Sequence, residues 1–332
     1  MSPRKGDPEK GAGRDVERYP AELEPTRSGH LERPRDGEGE PHRIWWELFG
    51  EAGGEGDGDA DGGGRETVVL LNGLAMRTRA WYGFLDELLP EFDVLLYDYL
   101  GQGLSSGPDE PYSIPGFGDD LAAILDHLEI ARVHVMGVSY GGFIALDFGR
   151  LHGDRLLTQT LSGILLSHER QFQMYQDLSL RFYRGGAETF ELYTHYLYEK
   201  IFGEPFLRRT DPQVLDSMRQ RFFERYRDRV HCLVRLTEAQ DPFFDRLEDR
   251  LPGYRSVSAP TLLLAGSQDR AIPLWQQRQL CDVLPDTRFE LVEGAGHVVY
   301  LERREVFFPI LRAFLRASST DFEMPEIAQE TR

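Results

Sequence analysis

The chain has 332 residues, 40% of them apolar and 11% aromatic, a composition that supports a sizeable globular core. With 38 Lys and Arg against 56 Asp and Glu, its formal charge is −18. That argues against a nucleic-acid binder, because phosphate recognition needs clustered cations.

The excess of acid is not confined to one end: residues 1–65 hold 16 acidic and 10 basic side chains. It reads as solubility with mild exclusion of anionic surfaces. The first twenty residues are charged, contain Pro3, Pro8 and Pro20, and lack the apolar stretch of a signal peptide. No run approaches the roughly 18 apolar residues of a membrane span. A cytoplasmic location without stable membrane insertion is the expectation. Cys232 and Cys281 stand in helix-like apolar surroundings and read as buried free thiols, with no disulfide framework. Nothing in the pattern fixes an oligomeric state.

In chain order, residues 1–28 are polar and aperiodic and predict a disordered tail. Arg43 to Phe49 predicts a strand. Residues 51–64 (EAGGEGDGDADGGG) predict a flexible acidic loop. Asp57, Asp59 and Asp61 alternate there as in a calcium loop, but the bidentate Glu that such a loop requires is missing, so no metal is expected. Thr67 to Leu71 (TVVLL) has the continuous apolar character of a central parallel strand. Ala80 to Leu89 predicts a helix stopped by Pro90, and Phe92 to Tyr97 a strand. Ser113 to Leu128 predicts a helix with Ile114, Phe117, Leu121, Ile124, Leu125 and Leu128 on one stripe.

Val133 to Val138 predicts a further strand, followed by a helix from Tyr140 to about His152, and Leu156 to Leu166 predicts another strand. From 168 to 255 the alternation stops in favour of helical spacing. It resumes with strands at Thr261 to Ala265 and Arg288 to Val292 and helices at Leu274 to Leu284 and Glu305 to Leu315. Strands alternating with helices imply right-handed crossovers and a mostly parallel α/β sheet with helices on both faces. The sheet core is expected over 29–167 and 256–317, a helical cap over 168–255, and a polar tail over 318–332. The cap should roof the carboxyl ends of the strands, where open α/β sheets bind ligands.

Gly137-Val138-Ser139-Tyr140-Gly141 follows an apolar strand and opens a helix, the strand–turn–helix setting of a nucleophilic serine. A helix N-cap serine is the bland alternative. A serine hydroxyl needs a base to take its proton and a third group to orient that base. In sites of this kind the partners follow in the order serine, acid, histidine. Asp269 and His297 each follow a predicted strand, at the same sheet edge as Ser139. Singly, Asp269 could be a helix-capping carboxylate and His297 a loop histidine; Glu169, past an earlier strand, is the rival acid. For the oxyanion, the backbone N–H groups of Tyr140 and Leu74 are the expected donors, with Asn72, Gly73, Gly137 and Gly141 supporting them. Asp98 reads as a structural brace. His134 reads as packed, His127 and His152 as helix-end residues, and His168, His195 and His231 as surface or pocket residues of the cap.

Together LLNGLAM at 70–76, DYLGQGLSS at 98–106, GVSYGG at 137–142, AGSQDRAIP at 265–273 and EGAGH at 293–297 resemble the α/β-hydrolase superfamily over roughly residues 28 to 317. The resemblance implies a Ser-Asp-His triad, an oxyanion hole, a mobile helical cap and no cofactor. Most members have His-Gly where this chain has Asn72-Gly73, and Arg where Leu100 stands. Asn-Gly is similar to a smaller group that includes hydroxyacyl transacylases and the synthase of rhamnolipid precursors. A serine nucleophile separates the chain from the dehalogenases and epoxide hydrolases of this fold, which attack with Asp.

The leading expectation is a serine hydrolase acting on carboxylic esters or lactones through an acyl-enzyme. Acyl transfer from a thioester and carbon–carbon bond hydrolysis use the same residues, and a non-catalytic binding module is the reading from another class. Phe172, Tyr175, Phe182, Tyr183, Phe190, Tyr193, Tyr196 and Tyr198 make the cap aromatic, which fits a small apolar or amphipathic substrate and equally fits packing of the cap itself.

Overall fold

The computed structural model describes residues 23–34, 40–50 and 65–326. The expected tail up to residue 22, the acidic stretch 51–64 with its aspartates, and the end of the chain after 326 lie outside the described residues.

Eight strands form one sheet: β1 (Arg27–Arg33), β2 (His42–Phe49), β3 (Thr67–Leu71), β4 (Asp93–Tyr97), β5 (Val133–Val138), β6 (Leu156–Ser162), β7 (Thr261–Gly266) and β8 (Thr287–Val292). Their spatial order is β1-β2-β4-β3-β5-β6-β7-β8. β1 and β2 run antiparallel to their neighbours; every pair from β4 to β8 is parallel. The carboxyl ends of β3, β5, β7 and β8 therefore share one edge.

Alternation along the strands sorts side chains between two layers. Val69 and Leu71 of β3, Leu95 and Tyr97 of β4, and Val133 and Val135 of β5 pack under α1 (Ile114–Leu128) and α2 (Tyr140–Leu151). Val68 and Leu70, Val94 and Leu96, and Met136 and Val138 face the opposite layer. Because both faces are covered, the central strands read as unbroken apolar runs.

The strand pattern predicts no β1, and the tail is expected to reach residue 28. Instead the chain is ordered in a strand from Arg27. Its residues RSGHLER carry one large apolar side chain, so no period-2 signal exists. Backbone pairing with β2, from Arg27 opposite Leu48 to Arg33 opposite His42, holds it at the sheet edge. Four further expectations shift. The segment Thr78–Glu87 is a 3₁₀-helix rather than an α-helix. The expected helix from Leu274 to Leu284 is a short α-helix followed by a 3₁₀ turn at Gln279–Asp282. β6 ends at Ser162, because Gly163 turns the chain with a φ of 66°. Past Ala317 the chain is more than a polar tail: the Phe322 ring is buried against Phe314 and beneath Arg288.

Between β6 and β7 stand seven helices: α3 (Arg170–Arg184), α4 (Ala187–Ile201), α5 (Glu204–Arg209), α6 (Pro212–Tyr226), α7 (Val230–Glu238), α8 (Gln240–Asp245) and α9 (Leu247–Arg255). Tyr183, Phe190, Tyr193, Phe222, Tyr226 and Leu233 form their shared core, which also takes in Ala75 from the loop after β3. After β7 come α10 (Leu274–Arg278), α11 (Val299–Glu302) and α12 (Arg304–Ala317). No helix among the described residues is long and apolar enough to cross a membrane.

Candidate active site

Ser139 sits between β5 and α2 with φ 51° and ψ −119°, a backbone conformation that L residues rarely adopt. Its N–H donates to the Ser162 carbonyl at 2.8 Å, which fixes the turn against β6. The surrounding glycines are dictated by space. A Cβ on Gly137 would lie 2.4 Å from the Gly141 carbonyl oxygen, and one on Gly141 would lie 2.6 Å from that of Leu71. Helix α2 can thus begin directly over the strands. Tyr140 is its first residue, so its N–H has no carbonyl one turn back and points out of the positive end of the helix.

His297 lies on the loop after β8. Its Nδ1 is 2.8 Å from Asp269 Oδ2, on the loop after β7. Asp269 accepts three further hydrogen bonds: Ala271 N–H at 2.9 Å and Ile272 N–H at 2.8 Å on Oδ1, and Gln277 Nε2 at 3.0 Å on Oδ2. The carboxylate is held on both oxygens, with one lone-pair direction aimed at the imidazole. Burial pulls the His297 pKa down, but the Asp269 carboxylate, its hydrogen bond and the more distant Glu302 outweigh burial and leave it above the ordinary histidine value. The rival acid Glu169 instead stands at the N-terminus of α3.

The loop after β3 is braced from beneath. Asn72 is fully buried, and Trp81 Nε1 donates to its Oδ1 at 2.9 Å. Asn72 Nδ2 reaches the Tyr97 carbonyl at 3.2 Å and Asp98 Oδ1 at 3.3 Å. Gln102 Nε2 donates to the Gly73 carbonyl at 3.0 Å. Asp98 accepts the N–H groups of Thr78 (2.8 Å) and Leu104 (3.0 Å), and burial pushes its pKa to about 6 against those bonds. Gly73 faces the serine: a Cβ there would lie 3.6 Å from Ser139 Cβ.

Ser139, His297, Gly73, Leu74 and Tyr140 line one cavity of about 400 Å³ beneath the helical insertion. Of the aromatic residues singled out in the insertion, Phe172, Tyr175, Tyr183, Tyr193 and Tyr198 line it; Phe182, Phe190 and Tyr196 do not. His297 is the one histidine in its wall. His168 and His195 are exposed and His231 contacts the Gly107 carbonyl, while His134 is buried between Thr158 and Glu66. Cys232 is buried as expected, but Cys281, within the 3₁₀ turn Gln279–Asp282, is exposed.

Sequence reasoning misses Glu302. Its carboxylate, 1% exposed, accepts N–H groups from Gly296 (3.0 Å) and Val298 (3.2 Å) on either side of His297, and from Gly203 (2.8 Å) in the insertion. His297 N–H donates to the Ile201 carbonyl at 2.7 Å, a second link between insertion and histidine loop. A Glu five residues past a histidine carries no local signature of such a role. The cavity arginines of the insertion, Arg209 and Arg225, are missed for the same reason.

The family model for the alpha/beta hydrolase fold matches residues 66–304, and the chain belongs to that family. It is an enzyme of the hydrolase class. Among curated relatives, it is 26% identical over 253 residues to a poly(3-hydroxyalkanoate) depolymerase of Ectopseudomonas oleovorans, covering 75% of this chain and 84% of that one. It is 24% identical over 269 residues to 3-oxoadipate enol-lactonase 2 of Acinetobacter baylyi, covering 78% and 91%. Among solved structures, a thermophilic esterase from Thermogutta terrifontis shares the fold with a TM-score of 0.70 at 22% identity, covering 88% of this chain and 99% of that one.

Proposed function

We propose that the protein is a serine hydrolase of carboxylic esters or lactones, with Ser139 as nucleophile, His297 as base and Asp269 as the group that orients it. The observation that carries this reading is a strained serine facing a largely apolar cavity whose wall also holds a histidine bonded to a buried carboxylate. Strain of this kind, roughly 1–3 kcal/mol, persists where the surroundings impose it and concentrates at functional turns.

In the proposed cycle His297 Nε2 takes the Ser139 hydroxyl proton as Oγ attacks the ester carbonyl. The oxyanion forms against the N–H groups of Tyr140 and Leu74. The carbon–oxygen bond breaks, His297 returns the proton to the departing alkoxide, and an acyl-Ser139 ester remains. Water, deprotonated by His297, then attacks that ester to release the acid and restore the serine. Asp269 holds the Nδ1 tautomer and stabilises the imidazolium through both steps. The relatives' names denote ester-type bonds, in a hydroxyalkanoate polymer and in an enol lactone, which supports this bond class.

The test is steady-state turnover of graded acyl esters, lactones and acyl thioesters by the wild type and by Ser139→Ala. Release of free acid that is lost in Ser139→Ala supports the reading. Undiminished release by the variant contradicts it, and product formed only with an added acceptor alcohol assigns the site to acyl transfer.

A further inference from the structure

The chain carries 56 acidic against 38 basic residues, yet the cavity wall holds no Asp or Glu and three arginines, Arg209, Arg225 and Arg304. Arg304 is spoken for: its Nε lies 2.6 Å from Glu87 Oε1 and its Nη2 2.6 Å from Asp86 Oδ1. The other two form no ion pair among the described residues. Arg209, on α5, donates to the Glu302 backbone carbonyl and lies over the Phe206 ring at 5.5 Å. Arg225, on α6, is partly buried, and its hydrogen bond is a long one, from Nη1 to the Ala75 carbonyl at 3.5 Å.

A guanidinium has five N–H donors in a planar fork, and one bond at the limit of hydrogen-bonding distance leaves most of Arg225 uncommitted. Withdrawing a cation from water without a counter-charge is costly, and a neutral side chain would clasp the Ala75 carbonyl as well. Position adds to the argument. Ala75 is two residues past Gly73, the residue that faces Ser139, and its φ of 65° and its packing into the core of the insertion fix the loop there. Arg225 thus presents a forked cation beside the loop that would hold the oxyanion. Arg209 adds positive potential near the histidine loop, and no carboxylate of the cavity wall offsets either one.

We infer that the substrate is anionic: an ester or lactone that carries a free carboxylate, which Arg225 binds through its fork while Arg209 adds to the positive potential of the cavity. This rests on the proposed ester chemistry and narrows it to half-esters and lactones of dicarboxylic or similar acids. Planar bidentate pairing with a carboxylate is what a guanidinium does better than an ammonium.

The experiment separates binding from chemistry. Monomethyl glutarate and dimethyl glutarate, which differ by one charge, are titrated calorimetrically into Ser139→Ala and into Ser139→Ala/Arg225→Gln. The expected result is that the monoanion binds Ser139→Ala about 10- to 100-fold more tightly than the diester, as charge-assisted hydrogen bonds allow, and that the preference collapses in the double variant. Raising the salt from 50 to 500 mM should shrink it as well. In parallel, wild type, Arg225→Gln and Arg225→Lys are assayed on 4-nitrophenyl hydrogen glutarate and its methyl ester. Loss should appear in KM for the anion, with Arg225→Lys intermediate.

Equal binding of the two probes by Ser139→Ala, or a preference that survives Arg225→Gln, overturns the inference. Tight, Arg225-dependent binding of the monoanion together with no ester turnover by the wild type overturns the ester-hydrolase reading and leaves the anion site standing.

Discussion

Glu302 Oε2 accepts the backbone N–H of Gly203 at 2.8 Å, so one buried carboxylate ties the helical insertion to the loop that carries His297. It satisfies three N–H groups from two segments far apart in sequence. Burial raises its pKa, against the backbone N–H groups and His297, which lower it. Glu302→Gln offers a single acceptor oxygen and turns an NH₂ group toward N–H donors, at a cost of about 1–3 kcal/mol. A lower melting temperature is expected, together with an acid limb of the pH–rate profile displaced to lower pH, because Glu302 helps to hold the His297 pKa up. A merely structural role would lower the melting temperature and leave the pH profile in place.

The direction of the His297 shift sets the pH dependence. As the proposed base His297 must be neutral, so kcat/KM should rise with pH along a limb whose apparent pKa lies above the ordinary histidine value of about 6.5. Stability runs the other way. A histidine whose folded pKa is raised contributes stability that is fully present below the unfolded pKa and is lost as pH climbs through the folded one. Asp269→Asn should move the limb to lower pH and cut kcat by roughly 10⁴, the loss seen when an orienting carboxylate is replaced by an amide that favours the wrong tautomer. A pH–rate series on both proteins checks the pair of effects.

Backbone strain at Ser139 makes a separate prediction about stability. Ala keeps a Cβ at φ 51° and retains the strain, whereas Gly releases about 1–3 kcal/mol of it at an entropic cost of about 0.5–1 kcal/mol. Both variants should be inactive, with Ser139→Gly melting above Ser139→Ala. Equal melting temperatures in differential scanning calorimetry would remove the strain from the account.

Gly163 ends β6 with φ 66°, and a Cβ there would stand 2.7 Å from His297 Cε1 and 2.8 Å from its Nδ1. Gly163→Ala therefore both strains the turn and pushes the imidazole off Asp269. A fall in kcat on the order of 10² is expected, the scale of a displacement of about 1 Å in the reacting groups. The imidazole N–H signal of His297 by NMR should lose the downfield position that its carboxylate bond confers.

Legibility followed locality. The apolar runs of β3, β4 and β5, the turn around Ser139 and the loops ending in Asp269 and His297 are written in contiguous residues, because strand, turn and helix rules act over a few positions. Strand β1 is absent from the pattern because backbone pairing, not burial, defines it. Glu302 and Arg225 are silent for another reason: Gly203, through which Glu302 reaches the insertion, and Ala75, the partner of Arg225, lie 99 and 150 residues away, and only the closed fold brings them near. Thr78–Glu87 has the spacing of an α-helix but tightens to 3₁₀, with its first N–H bound to the Asp98 carboxylate.

The central claim, that Ser139 is a nucleophile activated by His297, meets its most direct test in covalent labelling. The protein is incubated with a fluorophosphonate, digested and mapped by mass spectrometry, alongside His297→Ala. The account predicts one phosphonyl group per chain, on the peptide that contains Ser139, formed rapidly by the wild type and slowed by at least about a thousandfold without the base, the scale on which a catalytic triad acts. An unlabelled Ser139, or labelling of equal speed in His297→Ala, would contradict it.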